Sequence, residues 1–256
     1  MLETTGLTKR FGGLTAVDSV DFRLDADEVC SLIGPNGAGK TTFFNLLTGV
    51  LSPSEGTVRL HRDDDWIDIT GNDPYETAQQ GVHRSYQVTN IFPMLSVEEN
   101  VRIAAQAHGG VDSWRLDRNA NSFETYLEEA HGILDRVGLA SNADALASTL
   151  SHGQKRNLEI GIAMAGDPDV LLLDEPTAGV SSEGIGEVMA LIEDVSTDHA
   201  VLLVEHNMDV VMDLSDRIAV LHQGALIADD EPRAIRESET VQEAYLGGYD
   251  EEVSAT

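Results

Sequence analysis

The chain of 256 residues has little cysteine, little lysine and no long apolar segment. Cys30 is its only cysteine, so a disulfide framework within the chain is excluded. The longest apolar runs have five residues, whereas a membrane-spanning helix needs about 20. The N-terminus also lacks the basic and apolar regions of a signal peptide. We therefore expect a soluble intracellular protein that reaches a membrane only through a partner.

Positive charge is scarce as well. The chain has 16 basic and 45 acidic side chains, a formal net charge of −29, yet 41% of its residues are hydrophobic. This hydrophobic content favours a folded core with an acidic surface over a disordered chain. Molar salt shortens the Debye length to about 3 Å and screens the repulsion between such charges. The composition therefore predicts a halophilic protein from a salt-rich cytoplasm, with an acidic protein of an ordinary cytoplasm as the alternative.

A glycine-rich turn lies between a predicted buried strand, Glu28 to Ile33, and a predicted helix that runs from Thr42 to Leu47. The turn matches the pattern G-x-x-x-x-G-K-[ST]. Its glycines allow successive backbone N–H groups to point at phosphate oxygens, and the helix N-terminus adds positive potential. We predict that Lys40 reaches the β and γ phosphates and that Thr41 gives a hydroxyl to Mg²⁺. The predicted nucleotide-binding residues here are Asn36, Gly37, Ala38, Gly39, Lys40, Thr41 and Thr42.

Two further buried strands are predicted to end in polar residues. Val170 to Leu173 has no polar alternation, which is typical of a parallel strand covered on both faces, and Asp174 and Glu175 follow it. Next to a phosphate loop, we expect Asp174 to hold Mg²⁺ and Glu175 to polarise the attacking water. A lone acidic pair would more often belong to a turn. After the strand Ala200 to Val204, His206 is a candidate contact for the γ-phosphate or the water, or else a turn residue.

The segment Leu150-Ser151-His152-Gly153-Gln154 resembles the L-S-G-G-Q signature of ATP-binding cassette (ABC) ATPases. The resemblance implies an α/β fold with a phosphate-loop NTPase (RecA-like) core, an N-terminal antiparallel β subdomain and an inserted α-helical subdomain. The apolar spacing from Phe123 to Val137 independently predicts a helix in the insert, and Arg217 to Ala228 predicts a hairpin. The implied divisions are one domain over 1–249, a core of about 1–87 and 166–235, a helical subdomain of about 88–165, and an acidic tail over 250–256.

The same resemblance assigns further residues to an ATP and Mg²⁺ site. Phe11 is expected to stack on adenine and Val17 to lie against the nucleotide, although Phe11 alone would more often be a core residue. Gln87 is expected to connect Mg²⁺ with the helical subdomain. The residues implied in catalysis are Glu175, His206, Lys40 and Gln87, and those implied at the metal are Thr41, Gln87 and Asp174.

Members of this family sandwich ATP between two subunits, so Ser151, Gly153 and Gln154 are expected to bind the ATP held by a second ATPase, identical or related. Two positions depart from the common pattern. His152 stands where many cassettes have glycine, and Ser181 stands where many have aspartate. Neither departure removes a residue that the hydrolytic chemistry needs.

Within the family, the chain is similar to the larger ATPase of branched-chain amino acid importers. The implied function is ATP hydrolysis that powers uptake of branched-chain amino acids or similar small solutes, at the cytoplasmic face of the membrane. The implied partners are two permease subunits, a second ATPase and, indirectly, an extracellular solute-binding protein. The segments that carry this similarity are Arg10 to Val17, Gly81 to Gln87, Pro176 to Gly179, Val204 to Met208 and Val241 to Gly247.

Other functions stay open at this point. The apolar segment Val88 to Asn100, in a loop-like context, is a candidate permease contact or else a buried turn. The cassette could instead serve urea, amide or lipid transport, or be a soluble ABC ATPase of DNA repair or translation. The short insert, the single phosphate loop and the absence of a basic stripe oppose the soluble alternative, and no nucleic acid partner is expected.

Overall fold

The computed structural model of the protein describes residues 1–62, 65–85, 91–108 and 120–245. Within these ranges the chain forms an antiparallel sheet and a mainly parallel sheet, with helices around the parallel one. The elements are β1 (Leu2–Phe11), β2 (Leu14–Leu24), β3 (Val29–Ile33), α1 (Lys40–Leu47), β4 (Glu55–Arg62), β5 (Asp65–Asp68), α2 (Pro74–Gln79), β6 (Val82–Arg84), α3 (Val97–His108), α4 (Ala120–Arg136), α5 (His152–Met164), β7 (Val170–Asp174), α6 (Ser182–Val195), β8 (Ala200–Val204), α7 (Met208–Leu214), β9 (Arg217–His222), β10 (Ala225–Asp230) and α8 (Pro232–Glu237).

The antiparallel sheet has the strand order β2-β1-β4-β5. Val20, Phe22 and Leu24 of β2 are buried and alternate with exposed residues, as the predicted half-buried strand requires. The strand begins at Leu14, three residues before the predicted start, because Leu14 pairs with Phe11 across a tight turn. This pairing continues the β1–β2 ladder to the mouth of the cleft described below.

The second sheet has the strand order β10-β9-β3-β8-β7-β6. The neighbours from β9 to β6 pair in parallel, and β10 closes the edge antiparallel to β9, which confirms the predicted hairpin. The predicted buried strands are confirmed as β3, β7 and β8. Because parallel strands end at one edge, the segments that follow these three strands meet there.

Helix α1 lies between the two sheets. Its residues Phe43 and Phe44 share one buried cluster with Leu60 of the antiparallel sheet and Leu202 of the parallel sheet. The Phe43 ring meets Phe22 edge-on at a centroid distance of 5.6 Å. The loop before α1 is therefore attached to a helix that the core holds on both sides.

A second apolar cluster covers the other face of the parallel sheet and includes α4 and α5. The predicted helix in the insert is confirmed as α4, with Ala130 and Leu134 buried and Val137 buried just after it; the Phe123 side chain lies outside the described residues. Among the described helices, none is long and apolar enough to cross a membrane. The division into core and helical subdomain stays a prediction, and the proposed tail 250–256 lies outside the described residues.

The predicted loop Val88 to Asn100 is partly wrong, because α3 begins at Val97. Ser96 and Glu99 form a reciprocal cap: Glu99 N donates to Ser96 Oγ at 3.0 Å, and Ser96 N donates to Glu99 Oε2 at 3.0 Å. Residues 91–96 precede the helix, and the earlier part of the segment, 88–90, lies outside the described residues.

Candidate nucleotide-binding site

An open cleft of about 730 Å³ lies at the edge where β3, β7 and β8 end. Its volume falls in the range of small-molecule and cofactor sites. The cleft brings together predicted residues that are far apart in sequence, from the phosphate loop, from β1 and from the ends of two strands. The predicted residues that line it are Phe11, Asn36, Gly37, Ala38, Gly39, Lys40, Thr41, Thr42, Asp174, Glu175 and His206.

Two glycines of the phosphate loop occupy positions that no other residue fits. Gly34 has φ +152°, and a Cβ there would lie 2.1 Å from the carbonyl oxygen of Leu221. Gly39 has φ +108°, and a Cβ there would lie 2.4 Å from the carbonyl oxygen of Ala16. The loop is thus pressed against β9 and β2 before it enters α1, and the positive end of that helix faces the cleft.

The side chain of Lys40 lies inside the loop that precedes it. Its Nζ donates to the carbonyl oxygens of Gly34 at 2.6 Å and Pro35 at 3.2 Å. Burial lowers the pKa of Lys40, and the carboxylates of Glu175 and Asp174 act in the opposite direction. The ammonium group is therefore held at the wall of the cleft, where a phosphate chain would meet it.

Asp174 is oriented by an arginine that sequence reasoning did not identify. Arg84 Nη2 donates to Asp174 Oδ2 at 2.7 Å, and Arg84 Nη1 donates to Asn45 Oδ1 at 2.7 Å. The hydroxyl of Thr41 and the carboxylate of Asp174 both line the cleft, and such oxygen donors fit Mg²⁺. Gln87, the third predicted metal ligand, lies outside the described residues.

Glu175 adopts a backbone conformation that is unusual for a residue with a side chain, with φ +49°. Arg156 of α5 holds this turn by donating to the carbonyl oxygens of Asp174 at 2.6 Å, of Pro176 at 2.9 Å, and of Glu175. The Oε1 atom of Glu175 lies 3.2 Å from Nε2 of His206. The two side chains are thus close enough to act on one water molecule.

The buried carboxylate of Glu205 connects the two segments that carry Glu175 and His206. Its Oε1 accepts hydrogen bonds from Thr177 N at 2.8 Å and Thr177 Oγ1 at 2.6 Å. Its Oε2 accepts one from His206 N at 3.0 Å and one from Asn207 N at 3.4 Å. Glu205 is only 5% exposed. It therefore ties the loop after Glu175 to the backbone of His206.

Not all predicted site residues lie in the cleft. The structure corrects the prediction that Val17 lies against the nucleotide. Its side chain is fully buried in the core cluster, and Ala16 lines the cleft instead. Adjacent residues of a strand point to opposite faces, so only one of the two can face the nucleotide.

The predicted signature residues Ser151, Gly153 and Gln154 are outside the residues that line this cleft. They form the start of α5, where Gln154 N donates to Ser151 Oγ at 3.3 Å and Ser151 N donates to Gln154 Oε1 at 3.1 Å. The serine and glutamine of the signature are therefore a capping box as well.

The hairpin between β9 and β10 contributes to the cleft in a way that was not predicted. Gln223 and Gly224 line it, Gly224 N donates to the Ala38 carbonyl at 2.9 Å, and Asp18 N donates to the Gly224 carbonyl at 2.9 Å. The dipeptide Gln-Gly predicted the turn, but no local pattern places that turn against the phosphate loop. The other lining residues that were not predicted are Leu14, Thr15, Ala16 and Val204.

Comparisons with known proteins agree with this geometry. The family described as ABC transporter matches residues 17–178. The chain is 40% identical over 253 residues to the high-affinity branched-chain amino acid transport ATP-binding protein BraF of Pseudomonas aeruginosa, a match that covers 96% of this chain and 98% of BraF. It is 41% identical over 255 residues to the high-affinity branched-chain amino acid transport ATP-binding protein LivG of Escherichia coli, and that match covers 96% of this chain and 98% of LivG.

The crystal structure of the ADP conformation of MJ1267, an ATP-binding cassette of an ABC transporter, has a TM-score of 0.83 to this fold at 29% identity. That match covers 96% of this chain and 98% of MJ1267. These comparisons confirm the predicted phosphate-loop fold and the resemblance to ATPases of branched-chain amino acid importers. The chain therefore belongs to the ABC transporter family, in which it is an ATP-binding cassette that hydrolyses ATP.

Proposed function

We propose that this chain is the ATP-hydrolysing subunit of an importer for branched-chain amino acids or similar small solutes. The observation that carries the chemistry is the contact between Glu175 and His206 in the same cleft as Lys40. The substrate class rests on the similarity to BraF and LivG over nearly the whole chain. Urea, amide and lipid transport are the alternatives within the family.

The proposed reaction transfers the γ-phosphoryl group of ATP to water. Phe11 stacks on the adenine, and the phosphate loop with Lys40 binds the phosphates. Glu175 accepts a proton as the water oxygen bonds to the γ-phosphorus, the bond to ADP breaks, and His206 orients that water. Mg²⁺, held by Thr41, Asp174 and Gln87, would neutralise phosphate charge. The products are ADP and inorganic phosphate.

We infer that two ATPase subunits cooperate, either two copies of this chain or this chain and a related one. The exposed position of Ser151 and its separation from the cleft of its own chain support this arrangement. Residues that bind the ATP of a partner are expected to lie at the surface of their own subunit. ATP binding would then close the pair, and hydrolysis would reopen it.

We further propose a position at the cytoplasmic face of the membrane, with two permease subunits and, indirectly, an extracellular solute-binding protein. Phe92 and Met94, which precede α3, are 54% and 75% exposed, which suits a contact with a permease. Halophily also stays a prediction, based on the net charge and the scarcity of lysine, and assays are best run over a range of KCl concentrations.

The first experiment is Glu175→Gln. Without the carboxylate that accepts the proton, we expect ATP turnover to fall at least 100-fold while ATP binding persists. The ATP-bound variant is then expected to run as a dimer in size-exclusion chromatography with light scattering. Glu193→Gln, on the exposed face of α6, is the matched control and keeps wild-type turnover. Unchanged turnover in Glu175→Gln would contradict the assignment.

A second experiment addresses the substrate and the partners. Tagged Glu175→Gln protein is purified with ATP from native membranes, and the proteins that accompany it are identified by mass spectrometry. A strain without the gene is then tested for uptake of labelled leucine and labelled urea. Loss of leucine uptake alone supports the proposal, whereas loss of urea uptake alone favours the alternative.

A further inference from the structure

Arg156 connects helix α5 with the turn that carries Glu175. It lies in the second turn of α5, the helix that begins at the signature residue Ser151, and it is only 6% exposed. Its guanidinium group donates to three successive main-chain carbonyls, those of Asp174, Glu175 and Pro176. Its Nη1 also pairs with Glu159 Oε2 at 2.5 Å.

The three carbonyls belong to Glu175, the residue proposed as the proton acceptor, and to its two neighbours in the chain. Glu175 has φ +49°, a conformation that is strained in a residue with a side chain and persists only where neighbours impose it. The planar guanidinium presents five N–H donors in a fixed geometry, so it can hold successive carbonyls in one arrangement. A lysine ammonium at this position would keep the charge but not that fork.

The other end of the connection is the start of α5. Ser151 precedes Arg156 by five residues, about 7.5 Å along a helix with a rise of 1.5 Å per residue. The helix is packed into the core through Leu158 and Ile160, and its first turn is held by the Ser151 and Gln154 cap. A shift of the first turn is therefore transmitted to Arg156 as a shift of a rigid element.

We propose that Arg156 is a positioning residue that makes the placement of Glu175 depend on the position of α5. The proposal rests on the proposed function, in which Ser151 contacts the ATP of the partner subunit. ATP at the partner's site then sets the position of α5, and Arg156 passes that position to the turn that carries Glu175. The two ATP sites of the dimer are coupled through this arginine.

The test compares wild type, Arg156→Gln and Arg156→Lys. We expect Arg156→Gln to lower kcat at least tenfold, to change KM for ATP by less than threefold, and to bring the Hill coefficient for ATP close to 1. Arg156→Lys keeps the charge opposite Glu159 and is expected to recover only a small part of kcat. Amide hydrogen exchange in the peptide over residues 174–178 is expected to accelerate in Arg156→Gln.

Arg136→Gln is the matched control. Arg136 also donates to a main-chain carbonyl and to a carboxylate, both of Asp194, with the carbonyl at 2.7 Å. These contacts lie away from the cleft. We expect this variant to keep kcat, the Hill coefficient and the exchange rate over 174–178. If Arg156 only supported the fold, Arg156→Gln and Arg136→Gln would change kcat, the Hill coefficient and the exchange rate over 174–178 in the same way. That result would overturn the proposal.

Further outcomes also decide the question. If Arg156→Gln does not fold, Arg156→Lys carries the test, and wild-type kcat with an unchanged Hill coefficient in that variant would overturn the proposal. A Hill coefficient of 1 in the wild type would overturn the coupling. The proposed function is decided separately, by the turnover of Glu175→Gln, so the two failures can be told apart.

Discussion

The two halves of the cleft are built by different means. The phosphate loop is one contiguous segment, and main-chain packing shapes it, with Gly34 and Gly39 pressed against carbonyl oxygens of Leu221 and Ala16. The other half, around Glu175 and His206, is the one that we propose as the catalytic half; it joins the ends of two strands, and buried charged side chains hold it. These side chains are Arg84, Arg156 and Glu205, each less than a tenth exposed.

The two halves are therefore sensitive to different substitutions. The loop depends on the absence of side chains at two positions, so an added methyl group is enough to disturb it. The catalytic half depends on buried charges with hydrogen-bond partners, and removal of one partner leaves another polar group buried and unsatisfied. Substitutions in the loop are therefore expected to act on nucleotide binding, and substitutions around Glu205 on turnover.

The largest effect is expected for Gly39→Ala. The added Cβ would lie 2.4 Å from the Ala16 carbonyl oxygen at φ +108°, so the loop must move. We expect the affinity for a fluorescent ATP analogue, measured by titration, to fall at least 100-fold. Gly71→Ala is the control, because Gly71 has φ +76° but a Cβ added there would meet no atom within 4 Å. Equal affinity of the two variants would refute the main-chain account of the loop.

A smaller effect, on turnover, is expected for Glu205→Gln. The amide keeps the shape of the side chain, but its NH₂ group faces the backbone N–H of Thr177 or those of His206 and Asn207, so at least one hydrogen bond is lost. We expect kcat to fall about tenfold, with KM for ATP nearly unchanged, in steady-state assays. Glu193→Gln again serves as the control. A raised KM with normal kcat would mean that Glu205 supports binding, and the contrast between the two halves would fail.

The same contrast explains what could be predicted from sequence. The loop was predicted residue by residue because a strand, the glycine pattern and a helix follow one another within one segment. Asp174, Glu175 and His206 were predicted from strand ends and a family resemblance. The contacts of Arg84 and Arg156 join residues 90 and 18 positions away, which no local pattern shows.

The errors in prediction have local causes. Val17 was assigned to the nucleotide because it belongs to a family segment, but the alternation of strand residues turns it into the core. The start of α3 was missed although Ser96 and Glu99 carry the S-x-x-E pattern of a capping box. Strand alternation at Val17 and the S-x-x-E pattern at Ser96 are both local signals that the sequence contains.

The smallest effect concerns two histidines behind the catalytic half. The rings of His83, on β6 next to Arg84, and His108, on α3, are stacked with centroids 4.0 Å apart. His83 Nδ1 also contacts the Ala163 carbonyl of α5 at 2.8 Å, so the pair adjoins the helix that carries Arg156. Burial first, and then the neighbouring His83, lowers the pKa of His108 to about 4.

The sign of the pH effect follows from this shift. Between pH 6.5, the ordinary pKa of histidine, and pH 4, the unfolded chain binds a proton at His108 that the folded chain does not. Acid in this window therefore favours unfolding, and the stability present at pH 7 is progressively lost. We expect His108→Gln to lose fewer degrees of Tm than wild type between pH 7 and pH 5, by thermal unfolding followed by circular dichroism. An identical loss of Tm in both proteins would mean that other groups cause the acid sensitivity. If the folded protein retains its nucleotide affinity at pH 5.5, the histidine pair affects stability without affecting the phosphate loop.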